Sequence, residues 1–133
     1  MNEIEAVISS IEKQKELALI EFNLSEERLT MITLEVDKKL KVGQKVLLSI
    51  NPLQVAIAKG KGAELSYSNQ LNAKIEEIDE GVLLCALTLT LENMNKIGAI
   101  ITTKSAKKMS LKKGDSVTAL LKASQISLGG VSC

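Results

Sequence analysis

The sequence contains no histidine and no tryptophan, and only one proline, one phenylalanine, one tyrosine and two cysteines among 133 residues. Without histidine, the chain lacks the side chain that most often serves as an acid–base catalyst near neutral pH and as a metal ligand. Two cysteines, Cys85 in an apolar segment and Cys133 at the last position, form neither a disulfide framework nor a tetrahedral zinc site. These absences exclude most hydrolases and metalloenzymes and predict a reduced, cytoplasmic chain.

Long apolar runs and an excess of one charge are also missing. Seventeen lysine and arginine residues face sixteen aspartate and glutamate residues, so the net charge of +1 argues against a partner held by the whole surface. The N-terminal residues are acidic and lack the basic and apolar regions of a secretory signal. Residues 82–91, the most apolar segment, are too few to span a bilayer. We expect a soluble protein that does not insert into a membrane.

No catalytic signature is present in the sequence. It contains no glycine-rich phosphate-binding loop, no Gly-x-Ser-x-Gly elbow and no cysteine or histidine cluster with ligand spacing. The acidic run at residues 76–80 precedes Gly81 at a predicted hairpin turn, which is typical of a solvated loop rather than of a carboxylate pair or a calcium site. The sequence therefore predicts a protein that is not an enzyme and has no organic cofactor.

The chain contains an internal repeat. Residues 1–12 align with residues 68–79, and later matches follow in the same order with a small gap. The matched pairs include Asn2 with Asn69, Ile8 with Ile75, Gly43 with Gly114 and Gln54 with Gln125. Because asparagine, glycine and spacing agree as well as apolar positions, we predict two modules, a diverged first repeat at 1–60 and a second repeat at 65–133. The linker Lys59-Gly-Lys-Gly-Ala-Glu64 joins them.

The pattern of each repeat predicts five short strands, because β-branched and aliphatic residues alternate with polar ones between residues typical of turns. The strands lie at residues 4–12, 16–24, 29–34, 45–50 and 53–58, and their counterparts lie at residues 71–79, 82–91, 96–103, 116–121 and 125–128. Residues 36–40 and 105–109 each predict one helical turn that is followed by a glycine. The expected fold class is all-β, with two tandem OB-like five-stranded small barrels and a short helical turn in each.

Two features of these barrels concern partners. The second strand of the second repeat is aliphatic on both faces, which predicts burial of its outer face between repeats or chains and hence a homo-oligomer. Its residues are Leu83, Cys85, Leu87 and Leu89 on one face and Val82, Leu84 and Ala86 on the other. Nucleic acid, the usual ligand of OB-type barrels, is not expected, because base stacking needs aromatic platforms and the chain has one Phe and one Tyr.

Positive charge concentrates in the second repeat. Residues 96–122 hold seven lysines against Asp115, whereas residues 1–36 hold eight glutamates against three basic residues. Most of these lysines form a solvated face, but Lys122 emerges between an apolar strand and two small residues.

Hydroxyl groups also gather where strands of the second repeat meet turns. Such groups donate hydrogen bonds to an oxyanion without adding charge. They belong to Ser66, Ser68, Thr102 and Ser105. Ser105 is equally suited to cap the predicted helical turn, so both of its roles stay open.

The second repeat resembles a known domain in the order and spacing of four segments. These are Ser66-Tyr-Ser-Asn-Gln-Leu71, Ile101-Thr-Thr-Lys-Ser-Ala106, Leu111-Lys-Lys-Gly114 and Leu121-Lys-Ala-Ser124. They are similar to the Ser-x-Arg-Asn-x-Leu, Ile-Thr-x-x-Ser, Leu-x-x-Gly and Lys-Ala-Ser elements of the molybdenum-binding Mop domain, which molbindins share with the TOBE domains of molybdate transport and regulation. The resemblance covers the whole second repeat, and the first repeat looks like a diverged copy, so the chain resembles a di-Mop protein.

The resemblance implies a ligand and a site. The implied fold is a set of OB-like barrels that exchange strands in dimers or trimers. The implied ligand is molybdate or tungstate, bound as an intact oxyanion between modules or chains. The residues implied for the oxyanion are Ser66, Ser68, Asn69, Thr102, Ser105, Lys122, Ala123 and Ser124. At Ser68 the chain departs from the family pattern, which often has arginine there, and so loses a cation able to form two hydrogen bonds at once.

The first repeat departs further from the pattern. Asn51-Pro52 stands where Lys122-Ala123 stands in the second repeat. Met31 or Thr33 takes the place of Thr102. We therefore expect the first repeat to lack a full site of this kind and to contribute surface either to a site built mainly by the second repeat or to a pocket on a symmetry axis.

Three hypotheses of function follow from these residues. The leading one is a molybdate-binding protein for intracellular storage, buffering or homeostasis of molybdenum. The alternative is a sensing or dimerisation module that acts with a molybdate transporter ATPase or a transcription regulator, which would be a separate partner because the sequence has no nucleotide-binding loop or helix-turn-helix. The third is a structural module that has lost its ligand.

Overall fold

The computed structural model of the chain describes residues 2–34, 39–60 and 64–131. In these residues ten strands, one short α-helix and two 3₁₀ helices follow one another. The strands are β1 Asn2–Gln14, β2 Leu17–Leu24, β3 Glu27–Leu34, β4 Lys45–Ile50, β5 Ala56–Ala58, β6 Asn69–Glu80, β7 Leu84–Leu91, β8 Lys96–Thr102, β9 Ser116–Leu121 and β10 Ile126–Val131. Helix α1 is Thr103–Lys108, and the two 3₁₀ helices are the first-half turn, Pro52–Gln54, and the second-half turn, Ala123–Gln125.

The strands form two antiparallel five-stranded sheets, in the orders β10-β4-β1-β2-β3 and β5-β9-β6-β7-β8. Each sheet takes one edge strand from the other half of the chain, because Ala56 of β5 pairs with Leu120 and Ile126 of β10 pairs with Ile50. β10 also contacts β3, the opposite edge of the first sheet, so this sheet curls towards closure. The predicted all-β class with two five-stranded OB-like units is confirmed.

The internal repeat is visible in the geometry of the long first strands. β1 carries a bulge between Ile8 and Ser10, and β6 carries one between Ile75 and Glu77 at the equivalent position. A bulge bends a strand and increases its twist, so both sheets curl at the same point. The boundary predicted between residues 60 and 65 stays a prediction, since β5 and β10 pair across it and residues 61–63 of the linker lie outside the described residues.

The core follows the alternation of each strand. On β6, Leu71, Ala73 and Ile75 are buried, while Asn72 and Lys74 between them are exposed. Buried side chains of both sheets belong to one continuous apolar core, so the two halves stabilise each other by removing apolar surface from water. In the ranges that the structure describes, no helix has the length and apolar character needed to cross a membrane.

Two predicted strands begin later than expected. Residues 53–58 divide into the first-half turn and the short β5, because Pro52 favours the first position of a helix and interrupts the strand. β7 begins at Leu84, and the preceding Val82 and Leu83 lie in an exposed turn. The helical turn predicted at residues 105–109 forms as α1, two residues earlier, whereas most of the one predicted at 36–40 lies outside the described residues.

Candidate functional site

The second-half turn begins at Lys122, directly after β9, and packs against β3 of the other sheet. The N–H of Gln125 donates to the carbonyl of Lys122 at 2.9 Å, and the N–H of Lys122 donates to Gln125 Oε1 at 3.1 Å. Ala123 and Ser124 are the first two residues of the 3₁₀ helix, so their N–H groups have no acceptor within the turn. A lysine ammonium has donors and no acceptor, so Lys122 leaves both N–H groups uncapped. The turn thus presents three donors of hydrogen bonds, one of them cationic.

Two of the predicted serines lie close to this turn along the sheet. Asn69, the first residue of β6, pairs with Leu121, the last residue of β9. Ser68 and Lys122 are the next residues beyond that pair, and Ser66 lies two residues further out. Both serines and Lys122 are exposed, whereas Ala123 is buried. This end of the second sheet therefore gathers hydroxyl, ammonium and main-chain donors at the surface.

Asn69 serves the contact between the two sheets. It is fully buried, its Oδ1 accepts from the N–H of Thr30 at 2.7 Å, and its Nδ2 donates to the carbonyl of Thr30 at 2.9 Å. Asn2, its counterpart in the first repeat, makes the same pair of hydrogen bonds to Gly98, each at 2.8 Å. Both polar groups of the Asn69 side chain are thus engaged by β3. The match of Asn2 with Asn69 was the sequence signal for this role.

Thr102 and Ser105 form a second group of donors at the start of α1. Thr102 is the N-cap of the helix, because its Oγ1 accepts from the N–H of Ser105 at 3.1 Å. Its hydroxyl also lies 2.8 Å from Ser105 Oγ in a hydrogen bond. Of the two roles open for Ser105, the structure gives that of the N-cap to Thr102 instead. Both residues are exposed, so two adjoining hydroxyls face solvent.

Buried Thr103 fixes this helix on the sheet. Its N–H donates to the carbonyl of Leu83 at 2.9 Å, and its hydroxyl donates to the carbonyl of Gly81 at 2.8 Å. α1 consequently packs on β7 and β8, and the apolar turn at residues 82 and 83 lies beside it. The position of the Thr102 and Ser105 hydroxyls is therefore set by the loop that precedes β7.

The two groups of donors lie at opposite ends of the second sheet. Lys122 follows the pair formed by Asn69, the first residue of β6, whereas Thr102 pairs with Leu84, which lies just beyond Glu80, the last residue of β6. β6 has 12 residues, and a strand of that length spans roughly 35 Å, at about 3.3 Å per residue. One chain thus brings Ser66, Ser68 and Lys122 to one end and Thr102 and Ser105 to the other.

The lysines of the second half surround these groups without being bound to them. Lys104, Lys107 and Lys108 of α1 are exposed, as the prediction of a solvated face requires. Asp115 lies between α1 and β9, and its pKa lies below its ordinary value because the N–H of Lys112 donates to it and Lys59 lies 3.4 Å away. Residues 96–122 thus carry seven lysines and one carboxylate, and of these lysines Lys96 pairs with Glu76 of β6 at 2.9 Å.

The first sheet shows which residue corresponds to Thr102. In β2 and β3, Leu17 pairs with Leu34, as Leu84 pairs with Thr102 in β7 and β8. The expectation that Met31 or Thr33 occupies this position is therefore wrong, and the position is held by Leu34. Counting residues along the two aligned repeats gives the wrong counterpart, because the β2–β3 turn has fewer residues than the β7–β8 turn.

A groove of about 890 Å³ runs along the outward side of β6, between Asn72, Glu76, Glu92 and Thr118. None of the residues that the sequence assigned to the oxyanion lines it. At its edge, Glu27 Oε2 of β3 accepts from the N–H of Asn72 at 3.1 Å. Burial raises the pKa of Glu27, the nearby Glu92 raises it further, and the hydrogen bond from Asn72 opposes both.

Comparison with known proteins places this geometry in a family. The TOBE domain model matches residues 65–128. Molybdenum-pterin-binding proteins 1 and 2 of Clostridium pasteurianum are each 31% identical over 62 residues, which cover 47% of this chain and 91% of theirs. A solved structure of the cytoplasmic molybdate-binding protein ModG, with molybdate bound, superposes with a TM-score of 0.92 at 24% identity, over 98% of this chain and 96% of that one, so both share one fold. The chain belongs to the Mop/TOBE domain family, as a member with two tandem Mop-like repeats.

Proposed function

We propose that this protein binds molybdate or tungstate as an intact oxyanion and stores or buffers molybdenum. The observation that carries the proposal is the second-half turn. Its Lys122 ammonium and the two unused N–H groups of Ala123 and Ser124 are all hydrogen-bond donors, which favours a ligand that only accepts hydrogen bonds. The names of its relatives support the same ligand, since both Clostridium pasteurianum proteins are named for molybdenum.

The chemistry of the anion fits these donors. Molybdate is a tetrahedral dianion, so N–H and O–H groups around its four oxygens hold it, and no side chain coordinates the metal. Removal of a dianion from water is costly unless a cation compensates it, and Lys122 supplies one positive charge for each site. We propose that Ser66, Ser68, Thr102, Ser105, Lys122 and the N–H groups of Ala123 and Ser124 form the ligand set. Asn69 supports that set by holding β3, on which the second-half turn packs.

More than one chain is needed to complete such a site. Lys122 and Thr102 lie at opposite ends of the second sheet, so a site that uses both joins the second-half turn of one chain to α1 of another. An apolar surface next to α1 supports this assembly, because Val82, Leu83 and Leu84 are 92%, 79% and 51% exposed. We propose a homodimer or homotrimer in which this surface is covered by a second copy.

The other functions considered receive less support. The relatives named here are described as binding proteins, which favours binding over catalysis and over a sensing module that serves a transporter or regulator. A structural module without a ligand gives no reason for the uncapped N–H groups beside Lys122. The thiol of Cys85 is free and buried, which supports a reducing compartment, and we propose the cytoplasm.

Calorimetric titration with molybdate tests the proposal, with sulfate as the competing anion of the same charge and shape. We expect saturable binding of molybdate by the wild type, weakened about 10- to 100-fold in Lys122→Ala, because a charge-assisted hydrogen bond to the ligand contributes about 1.5–3 kcal/mol. Lys107→Ala removes another exposed lysine of the same half and should bind as the wild type does. No saturable heat from folded wild-type protein would contradict the proposal.

A further inference from the structure

The first-half and second-half turns share one backbone geometry. Each is a 3₁₀ helix that follows a strand end, and their N-caps have φ and ψ of −73° and 122° at Asn51 and −75° and 150° at Lys122. In both, the third residue of the helix donates to the N-cap carbonyl at 2.9 Å, from Gln54 and from Gln125. Each turn also packs on the edge strand of the opposite sheet, β8 and β3 respectively. Any difference in binding between them therefore comes from side chains.

The first-half turn has no N–H group left for a ligand. Its first residue is Pro52, which lacks an N–H. The N–H of its second residue, Leu53, donates to Asn51 Oδ1 at 3.0 Å. The third N–H, of Gln54, is used by the turn itself. The side chain of Asn51 thus occupies the place where an anion oxygen would accept.

A cation and a hydroxyl are absent from the first half at the corresponding positions. Asn51 is neutral where the second half has Lys122, so a dianion at this turn would be desolvated without compensation. Leu34 stands in register where the second half has Thr102, and it is 64% exposed. The cation and the main-chain donors are therefore lost at the first-half turn, and the hydroxyl is lost at the end of β3.

The first-half turn has a structural contact instead. A Cβ atom placed on Gly98 of β8 would lie 3.9 Å from Cβ of Pro52, so the proline packs against the glycine. Asn2 binds both main-chain groups of the same glycine. Pro52 and Asn2 therefore hold β8, the strand that ends at Thr102.

From these contacts we infer that Asn51 and Pro52 close the first half to oxyanions, so that every anion site of the assembly is built around a second-half turn. This inference rests on the proposed function. It assigns the exclusion of anions from the first-half turn to the Asn51 cap on Leu53, to Pro52 and to the missing cation together, and it predicts one class of sites per assembly rather than two. The first repeat acts as a positioning element for β8.

Measurement of bound molybdenum per chain, by calorimetry and by elemental analysis after dialysis, tests the inference. Lys122→Asn with Ala123→Pro gives the second-half turn the residues of the first. Lys122→Asn alone adds only the capping side chain at an exposed position and serves if the double variant fails to fold, with circular dichroism as the check. Asn51→Ala is the matched control, because it removes the cap from the first-half turn.

We expect both Lys122 variants to lose every site of wild-type affinity, and Asn51→Ala to bind the same number of anions per chain as the wild type, because Pro52 and the missing cation still close the first-half turn. A folded Lys122→Asn variant that retains about half of its anions at the affinity of the wild type would overturn the inference, as would loss of anions from Asn51→Ala. Absence of binding by the wild type itself is a separate result, because it removes the proposed function and the inference with it.

Discussion

Asn2 and Asn69 make the same pair of hydrogen bonds across the two sheets, Asn2 to both main-chain groups of Gly98 and Asn69 to both main-chain groups of Thr30. Each asparagine lies at the first position of the long strand of its repeat. Asn2 holds β8, on which the first-half turn also packs, and Asn69 holds β3, on which the second-half turn also packs. The two halves are therefore joined by a reciprocal contact, and the second-half turn with its proposed anion donors packs on one of the strands held in this way.

Loss of the Asn69 side chain should destabilise the whole protein. In Asn69→Ala, the N–H and carbonyl of Thr30 lose their partners, so we expect the free energy of unfolding to fall by about 2–4 kcal/mol. Urea denaturation followed by circular dichroism measures the change. Gln70→Ala, which alters the exposed neighbour, should stay within about 0.5 kcal/mol of the wild type. Equal stability of Asn69→Ala and Gln70→Ala would show that the contact between the sheets contributes little.

The hydroxyl of Thr102 caps α1 and is proposed to bind the anion, and stability and binding measured on one pair of variants separate these two roles. Thr102→Val removes the N-cap of α1 and should lower the free energy of unfolding by about 1 kcal/mol. It should also weaken molybdate binding, since the proposed site loses a donor, whereas Thr102→Ser keeps the hydroxyl and should preserve both properties. If Thr102→Val binds molybdate as tightly as Thr102→Ser, the hydroxyl is a cap only.

Glu27 should make stability depend on pH. Burial and the nearby Glu92 raise the pKa of its carboxyl above the ordinary value of 4.5. The folded state then holds this proton more tightly than the unfolded state does, so the contribution of Glu27 to the free energy of unfolding falls as pH rises from 4.5 through the folded-state pKa. Glu27→Gln keeps an acceptor for the N–H of Asn72 and should lack this decline.

Urea unfolding at a series of pH values compares Glu27→Gln with Glu26→Gln. Glu26 is the exposed neighbour, and its substitution changes the net charge by the same amount. We expect the difference in stability between Glu27→Gln and the wild type to grow in favour of the variant as pH rises through that range. Parallel curves for the two variants would contradict the prediction.

The apolar turn before β7 should control assembly. Val82→Asp with Leu83→Asp places charge on the surface proposed to meet a second copy, so we expect a shift to monomers in sedimentation velocity and weaker molybdate binding. Met94→Asp alters another exposed apolar residue, 76% exposed, in the β7–β8 turn. It should leave both properties unchanged. A double variant that assembles and binds as the wild type does would place the interface elsewhere.

Much of the local structure could be predicted from the sequence. Strands at 45–50 and 116–121 form with the predicted bounds, because alternation of apolar and polar residues reports which side of a strand is buried. The exchange of β5 and β10 between the sheets could not be predicted in this way. Alternation reports which face of a strand is buried, and it does not report which distant strand is its partner.

In the candidate site, too, the sequence motif predicted which residues are donors but not how they are placed. Its motif indicated the exposed donors, Lys122 and Thr102 among them, since residue type alone determines what they donate. It did not reveal that Asn69 is fully engaged by Thr30, because a buried amide and a ligand-binding amide look alike in a sequence. It also misplaced the counterpart of Thr102, since register across β3 depends on turn length.

Anomalous diffraction at the molybdenum edge, from crystals grown with molybdate, locates the anion directly. We predict molybdenum within hydrogen-bonding reach of Lys122 and of the N–H groups of Ala123 and Ser124, with Thr102 and Ser105 of a neighbouring chain on its other side, and none beside Asn51. Molybdenum bound away from Lys122, or absent at a saturating concentration, would contradict the assignment of this protein as an oxyanion carrier with its site at the second-half turn.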